Sequence, residues 1–133
     1  MDQADREAAR RAVETGDAPA PVGPYSQAVE AEGVLYLSGQ VPLDPETGEL
    51  VEGGAAEQTR RCLENLDAVS RAAGTRLQDA ARLTVYVTDM SRFAEVNEVY
   101  SEFFEPPFPA RVTIGVAALP AGATVEIDAT APR

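Results

Sequence analysis

Apolar positions along this chain recur with two periods, and the switches between them outline its elements. Residues 28–31 and 34–38 read as strands around Glu32-Gly33, a two-residue turn of the hairpin kind. Residues 55–73 then carry Ala55, Thr59, Cys62, Leu66, Val69 and Ala73 at helical spacing, and Gly74 follows as a stop. Alternation returns over 79–87, where Leu83, Val85 and Val87 oppose Arg82, Thr84 and Tyr86. A second helix is predicted over 91–104, with Phe93, Val96, Tyr100, Phe103 and Phe104 as its inner stripe. Pro106, Pro107 and Pro109 end it and set an extended approach to the next strand. There Val112, Ile114 and Val116 share one face, and Arg111, Thr113 and Gly115 the other. After a turn at Leu119-Pro-Ala-Gly122, the last strand sets Val125, Ile127 and Ala129 against Glu126 and Asp128. These two strands read as a hairpin.

The remaining segments are simpler. Residues 1–10 form a charged N-terminal extension, helical in character with little to bury, and 11–14 fit a short edge strand. Residues 16–24 hold three prolines and two glycines, so they make a fixed loop leading to Tyr25. Residues 39–54 are loop, with Asp44-Pro-Glu-Thr-Gly48 as the clearest turn. The order ββ–α–β–α–ββ predicts a single α+β domain over 11–133, a mixed sheet with two helices on one face. By alternation, the uncovered face carries Tyr36, Ser38, Thr84, Tyr86, Arg111, Thr113 and Glu126. That mixture suits subunits packing with closed symmetry; the alternative is a solvated antiparallel face.

Composition narrows the chemistry. The 133 residues suit one domain, and no apolar run approaches the roughly 20 residues of a membrane span. No apolar h-region follows the charged start, so the expected location is the cytoplasm. Acids outnumber bases 22 to 11 for a net charge of −11, and all the bases are arginine. Nucleic-acid partners are therefore not expected, because binding phosphates needs cations. A lysine-free acidic surface fits either a high-salt cytoplasm or codon bias toward arginine. Histidine is absent, which removes histidine metal sites, Ser-His-Asp triads and the usual general base. Cys62 is the only cysteine, so no internal disulfide or CxxC site can form, and its place on the helix-one stripe reads as packing.

Several residues remain as candidates. Arg111 follows a proline-stiffened approach and suits two-point binding of a carboxylate; on pattern alone, pairing with a neighbouring acid is the simpler explanation. Glu126, on the partner strand of the expected hairpin, can take a proton from water or pair with Arg111. Asn97 falls inside the apolar stripe of helix two, where an amide needs either backbone or ligand partners. Tyr25 and Ser38-Gly39 sit where the backbone can open toward a ligand.

Together these segments resemble the RidA/YjgF family of reactive-intermediate deaminases over nearly all of the chain after residue 10. The resemblance rests on Ala18-Pro-Ala-Pro-Val-Gly-Pro-Tyr-Ser-Gln27, Leu37-Ser-Gly-Gln-Val-Pro42, Val96-Asn97 with Tyr100 and Phe103-Phe104, and Phe108-Pro-Ala-Arg111. Leu119-Pro and Val125-Glu-Ile127 complete it. It implies a chorismate-mutase-like fold, assembled as a homotrimer with a barrel-like arrangement of sheets and clefts between subunits. It also implies hydrolysis of 2-imino or enamine acids, such as 2-aminoacrylate from pyridoxal-phosphate enzymes, to 2-oxo acids and ammonia, with no metal or cofactor. By the same resemblance Arg111 binds the substrate carboxylate and Glu126 positions or activates water. Tyr25, Ser38, Gly39 and Asn97 shape the cleft. Thr113 stands where many family members have cysteine, which removes a thiolate but leaves a hydroxyl near substrate. A non-catalytic binding or chaperone-like member, a ribonuclease and a chorismate-mutase-like isomerase are the competing readings.

Overall fold

The computed structural model describes all 133 residues. Its elements are α1 (Gln3–Ala9), β1 (Arg11–Val13), β2 (Ala28–Ala31), β3 (Val34–Gln40), α2 (Ala55–Ala72), β4 (Arg82–Val87), α3 (Phe93–Phe103), β5 (Ala110–Gly115) and β6 (Val125–Pro132). The hairpin between β2 and β3 turns on Glu32 at φ 49° and Gly33 at φ 78°, both left-handed, as a right-twisted two-residue connection requires. Short 3₁₀ turns at 77–79 and 90–92 take Asp79 from the expected strand and Ser91 and Arg92 from the expected helix, and a third, at 120–122, makes the expected turn.

All six strands form one sheet in the order β1-β2-β3-β6-β4-β5. This corrects the expected hairpin of the last two strands. β5 returns through α3 and lies parallel to β4, whereas β6 inserts between β3 and β4, antiparallel to both. A helical crossover is what a parallel neighbour needs, and 88–109 provides one. Residues 116–124 then carry the chain past β4, leaving β5 as a free edge.

The core lies between one face of the sheet and the two long helices. Leu35, Leu37, Leu83, Val85, Val87, Val125 and Ile127 are buried against Cys62, Leu63, Leu66 and Val69 of α2 and Val96 of α3. α1 buries none of its residues. The opposite sheet face has no element over its centre; Tyr36 stays 51% exposed, Ile114 40% and Val112 38%.

Candidate active site

β5 holds the main departure from the sequence pattern. Arg111 is level with Leu83, and Thr113 with Val85, so both point to the helix-covered side. Val112 and Ile114 are level with Thr84 and Tyr86 on the open side. The expectation that Arg111 and Thr113 share the open face with Glu126 is therefore corrected. Because β5 is the edge strand, α2 and α3 do not enclose its inward residues, and Arg111 reaches solvent at the rim.

At that rim Arg111 is held entirely by neutral groups. Its Nη1 donates to Asn97 Oδ1 at 2.7 Å. The guanidinium carbon lies 4.8 Å from the Tyr100 ring centre and 5.3 Å from that of Phe93. A planar cation stacks well against such rings. No carboxylate lies within ion-pairing distance of Arg111, although seven of the eleven arginines in this acidic chain have one. The ion-pair explanation for Arg111 thus fails. Its remaining N–H groups border an open pocket of about 400 Å³ lined with Tyr100, Ser101, Phe108 and Pro109. Asn97 is exposed on α3 rather than part of its buried stripe, and it spends its oxygen on Arg111.

Glu126 belongs to a second cluster, on the open face. Between β3 and β6 the register jumps from Leu37↔Ala129 to Gln40↔Ile127, so Ser38 and Gly39 together oppose Asp128 as a bulge. The bulge brings Gly39 under the Glu126 carboxylate. A Cβ on Gly39 would stand 2.6 Å from Glu126 Oε2, so only glycine leaves the carboxylate its place. Partial burial, and then the nearby Asp128, raise the Glu126 pKa above the ordinary carboxylate value. Asp128 itself accepts a hydrogen bond from the Tyr86 hydroxyl at 3.2 Å. Ser38 is engaged locally: its Oγ donates to Ser26 O at 2.6 Å, and its N–H to Gln27 O at 3.0 Å. These bonds tie the Tyr25-Ser26 segment to the bulge, while the Tyr25 ring remains exposed.

Within one chain, then, the site residues form two groups. Tyr25, Ser38, Gly39 and Glu126 gather at the bulge, and Asn97, Arg111 and Thr113 at the β5 edge. No group of three or more His, Cys, Asp or Glu side chains is placed to hold a metal ion.

The family profile described as endoribonuclease L-PSP matches residues 15–132. The chain belongs to this family, the RidA/YjgF proteins.

Among RidA/YjgF relatives, the RutC family protein y4sK of Sinorhizobium fredii is 51% identical over 117 residues, covering 88% of this chain and 93% of that protein. The 2-iminobutanoate/2-iminopropanoate deaminase of Mus musculus is 46% identical over 122 residues, 92% and 90% of the two chains. The crystal structure of RidA from an Antarctic Psychrobacter matches at a TM-score of 0.89 with 44% identity, covering 92% and 99%. Residue-level reading of this RidA/YjgF chain missed Phe93 and Tyr100 as partners of Arg111, assigning both to the core. The signal was present, since Phe93, Asn97 and Tyr100 fall at i, i+4 and i+7 on one face of α3.

Proposed function

We propose that this protein hydrolyses 2-imino and enamine acids, such as those derived from 2-aminoacrylate, to 2-oxo acids and ammonia. The observation that carries this reading is Arg111, a cation held in place by an amide and two rings with its charge left unpaired. An arginine arranged in this way is ready to take a small carboxylate by two parallel N–H bonds. The deaminase named among its relatives acts on substrates of that class.

The chemistry follows from the groups available. With the carboxylate fixed on Arg111, the imine carbon is presented in one orientation, which lowers the entropic part of the barrier. Glu126 takes a proton from a water molecule as its oxygen adds to that carbon. The raised pKa of Glu126 makes it a stronger base than an ordinary carboxylate. Glu126 then returns the proton to the carbinolamine nitrogen, the C–N bond breaks to release ammonia, and the hydroxyl gives up its proton to water as its electron pair forms the C=O of the oxo acid. The Thr113 hydroxyl, on the same side as Arg111, offers a hydrogen bond to substrate or water.

Arg111 and Glu126 of one chain face opposite ways, so in this reading each site joins two copies, and the copies form a homotrimer. The open sheet face supports that assembly: Tyr36, Val112 and Ile114 lie on it without a covering element. RNA is a poor alternative substrate for a chain of net charge −11.

The test is a coupled assay in which a pyridoxal-phosphate enzyme releases 2-aminoacrylate. Purified protein should accelerate its loss and Arg111→Ala should abolish the effect. Equal rates with and without protein, across salt concentrations, would overturn the reading in favour of a non-catalytic binder.

A further inference from the structure

Of the four phenylalanines in the chain, only Phe108 faces solvent, 59% exposed. Phe93 and Phe103 are half-buried and Phe104 is buried. The backbone at Phe108 has little freedom, because Pro107 and Pro109 flank it. A proline's ring fixes its own φ, and the residue before a proline is held near the extended region. A stiff segment thus presents an aromatic ring to water three residues before Arg111.

That ring lines the pocket of about 400 Å³ onto which Arg111 opens, together with Pro109 and Tyr100. Little else there can serve a side chain on a ligand. Asn97 Oδ1 is taken by Arg111, the Ser101 hydroxyl donates to the Glu98 carbonyl at 2.7 Å, and the Tyr100 hydroxyl oxygen is buried. No acid lines the pocket, and Arg111 is its one cation. With Arg111 holding a carboxylate, a charged side chain finds no partner here, whereas an apolar one meets Phe108 and Pro109. The connectivity of the ligand agrees. In a 2-imino acid the side chain starts on the carbon bonded to the carboxylate, and so in the space that Phe108 borders.

We infer that Phe108 determines which side chain the site accepts, a role that rests on the deaminase reading above and narrows it to 2-imino acids with bulky apolar side chains. Each methylene fully buried is worth about fourfold in affinity. The pocket is open and covers only part of the three carbons by which leucine exceeds alanine, so the preference is about fivefold to tenfold. It is expressed in KM, because a contact away from the imine carbon is made equally in ground and transition states.

The experiment measures kcat and KM for two imines made in situ by a flavin amino-acid oxidase, one from leucine and one from alanine. Wild type should favour the leucine imine in kcat/KM by about fivefold to tenfold. Phe108→Ala should bring that ratio to within about twofold of one, and Phe108→Leu should restore most of it. The ring lies outside the core, so both variants should keep the unfolding temperature and the solution mass of wild type. A wild-type ratio near one, a ratio unmoved by Phe108→Ala, or equal losses on both imines overturns this role while sparing the deaminase reading. A changed solution mass in Phe108→Ala also overturns it, since the ring would then serve contact between copies. A wild type that accelerates neither imine overturns the deaminase reading and the role of Phe108 with it.

Discussion

Arg111 and Glu126 stand on opposite faces of the same sheet, on strands separated by β4. Arg111 is level with the core residue Leu83, whereas Glu126 is level with Tyr86 on the open side. No side-chain rotation brings them together through a packed sheet. Arg111→Ala and Glu126→Ala should each be inactive as pure proteins. Unfolded together and refolded as a mixture, they should recover about a quarter of wild-type activity, the fraction of random interfaces with both groups intact. Zero recovery, with mixed assembly verified by mass spectrometry, would show that a site does not draw on two chains.

The amide that holds Arg111 must be neutral to leave the charge available. Asn97→Asp keeps the shape and supplies an internal carboxylate in place of the 2.7 Å amide contact. A charge-assisted bond of about 1.5–3 kcal/mol would then compete with substrate. KM for the imino acid should rise about tenfold or more, and kcat should fall far less. Steady-state kinetics at two salt concentrations checks this, with high salt reducing the penalty.

Gly39 should matter through Glu126 rather than through stability. Alanine there places a carbon 2.6 Å from Oε2 and forces the carboxylate aside. Since the displaced atoms end a flexible side chain, Gly39→Ala should cost under about 1 kcal/mol in denaturant unfolding. Activity should fall about tenfold to a hundredfold, because a proton acceptor out of position loses most of its effect.

The pKa of Glu126 gives two signed expectations. Activity should decline as pH drops through its raised value, and Glu126→Gln should remove both the activity and that limb. A folded-state pKa above the unfolded one means the native state holds its proton to higher pH. The corresponding stability is present below the ordinary glutamate pKa and is lost as pH rises through the raised value. Glu126→Gln should therefore be slightly more stable than wild type at neutral pH, by under about 1 kcal/mol for this partly solvated group. The gap should close in acid, as urea titrations at pH 4 and pH 7 would report.

Cys62 should be silent to thiol reagents until the chain unfolds. It is fully buried, its pKa is pushed well up by that burial, and its Sγ lies 3.6 Å from the Val125 carbonyl. Reaction with an aromatic disulfide reagent should track denaturant unfolding and leave native activity unchanged.

Much of this could be read from residue order alone. The helical spacing of Cys62, Leu66 and Val69 and the alternation of Leu83, Val85 and Val87 are local properties, and each became an element at its expected place. The Glu32-Gly33 turn was equally local, because two left-handed residues suffice to specify it. The absence of histidine and the surplus of acid limited the available chemistry by themselves.

Tertiary structure decided what periodicity leaves open. A period of two divides β5 into two faces and is silent on which one is covered. Val112 and Ile114 look like core residues but lie open, and Arg111 points inward, because β5 pairs with β4 at an edge instead of with β6 in a hairpin. That pairing depends on a helical crossover and on where a later strand inserts, both of them long-range choices. It took Arg111 off the face of Glu126 and gave it Phe93, Asn97 and Tyr100 as neighbours. The residue types were written in the chain; their partners were set by strand order.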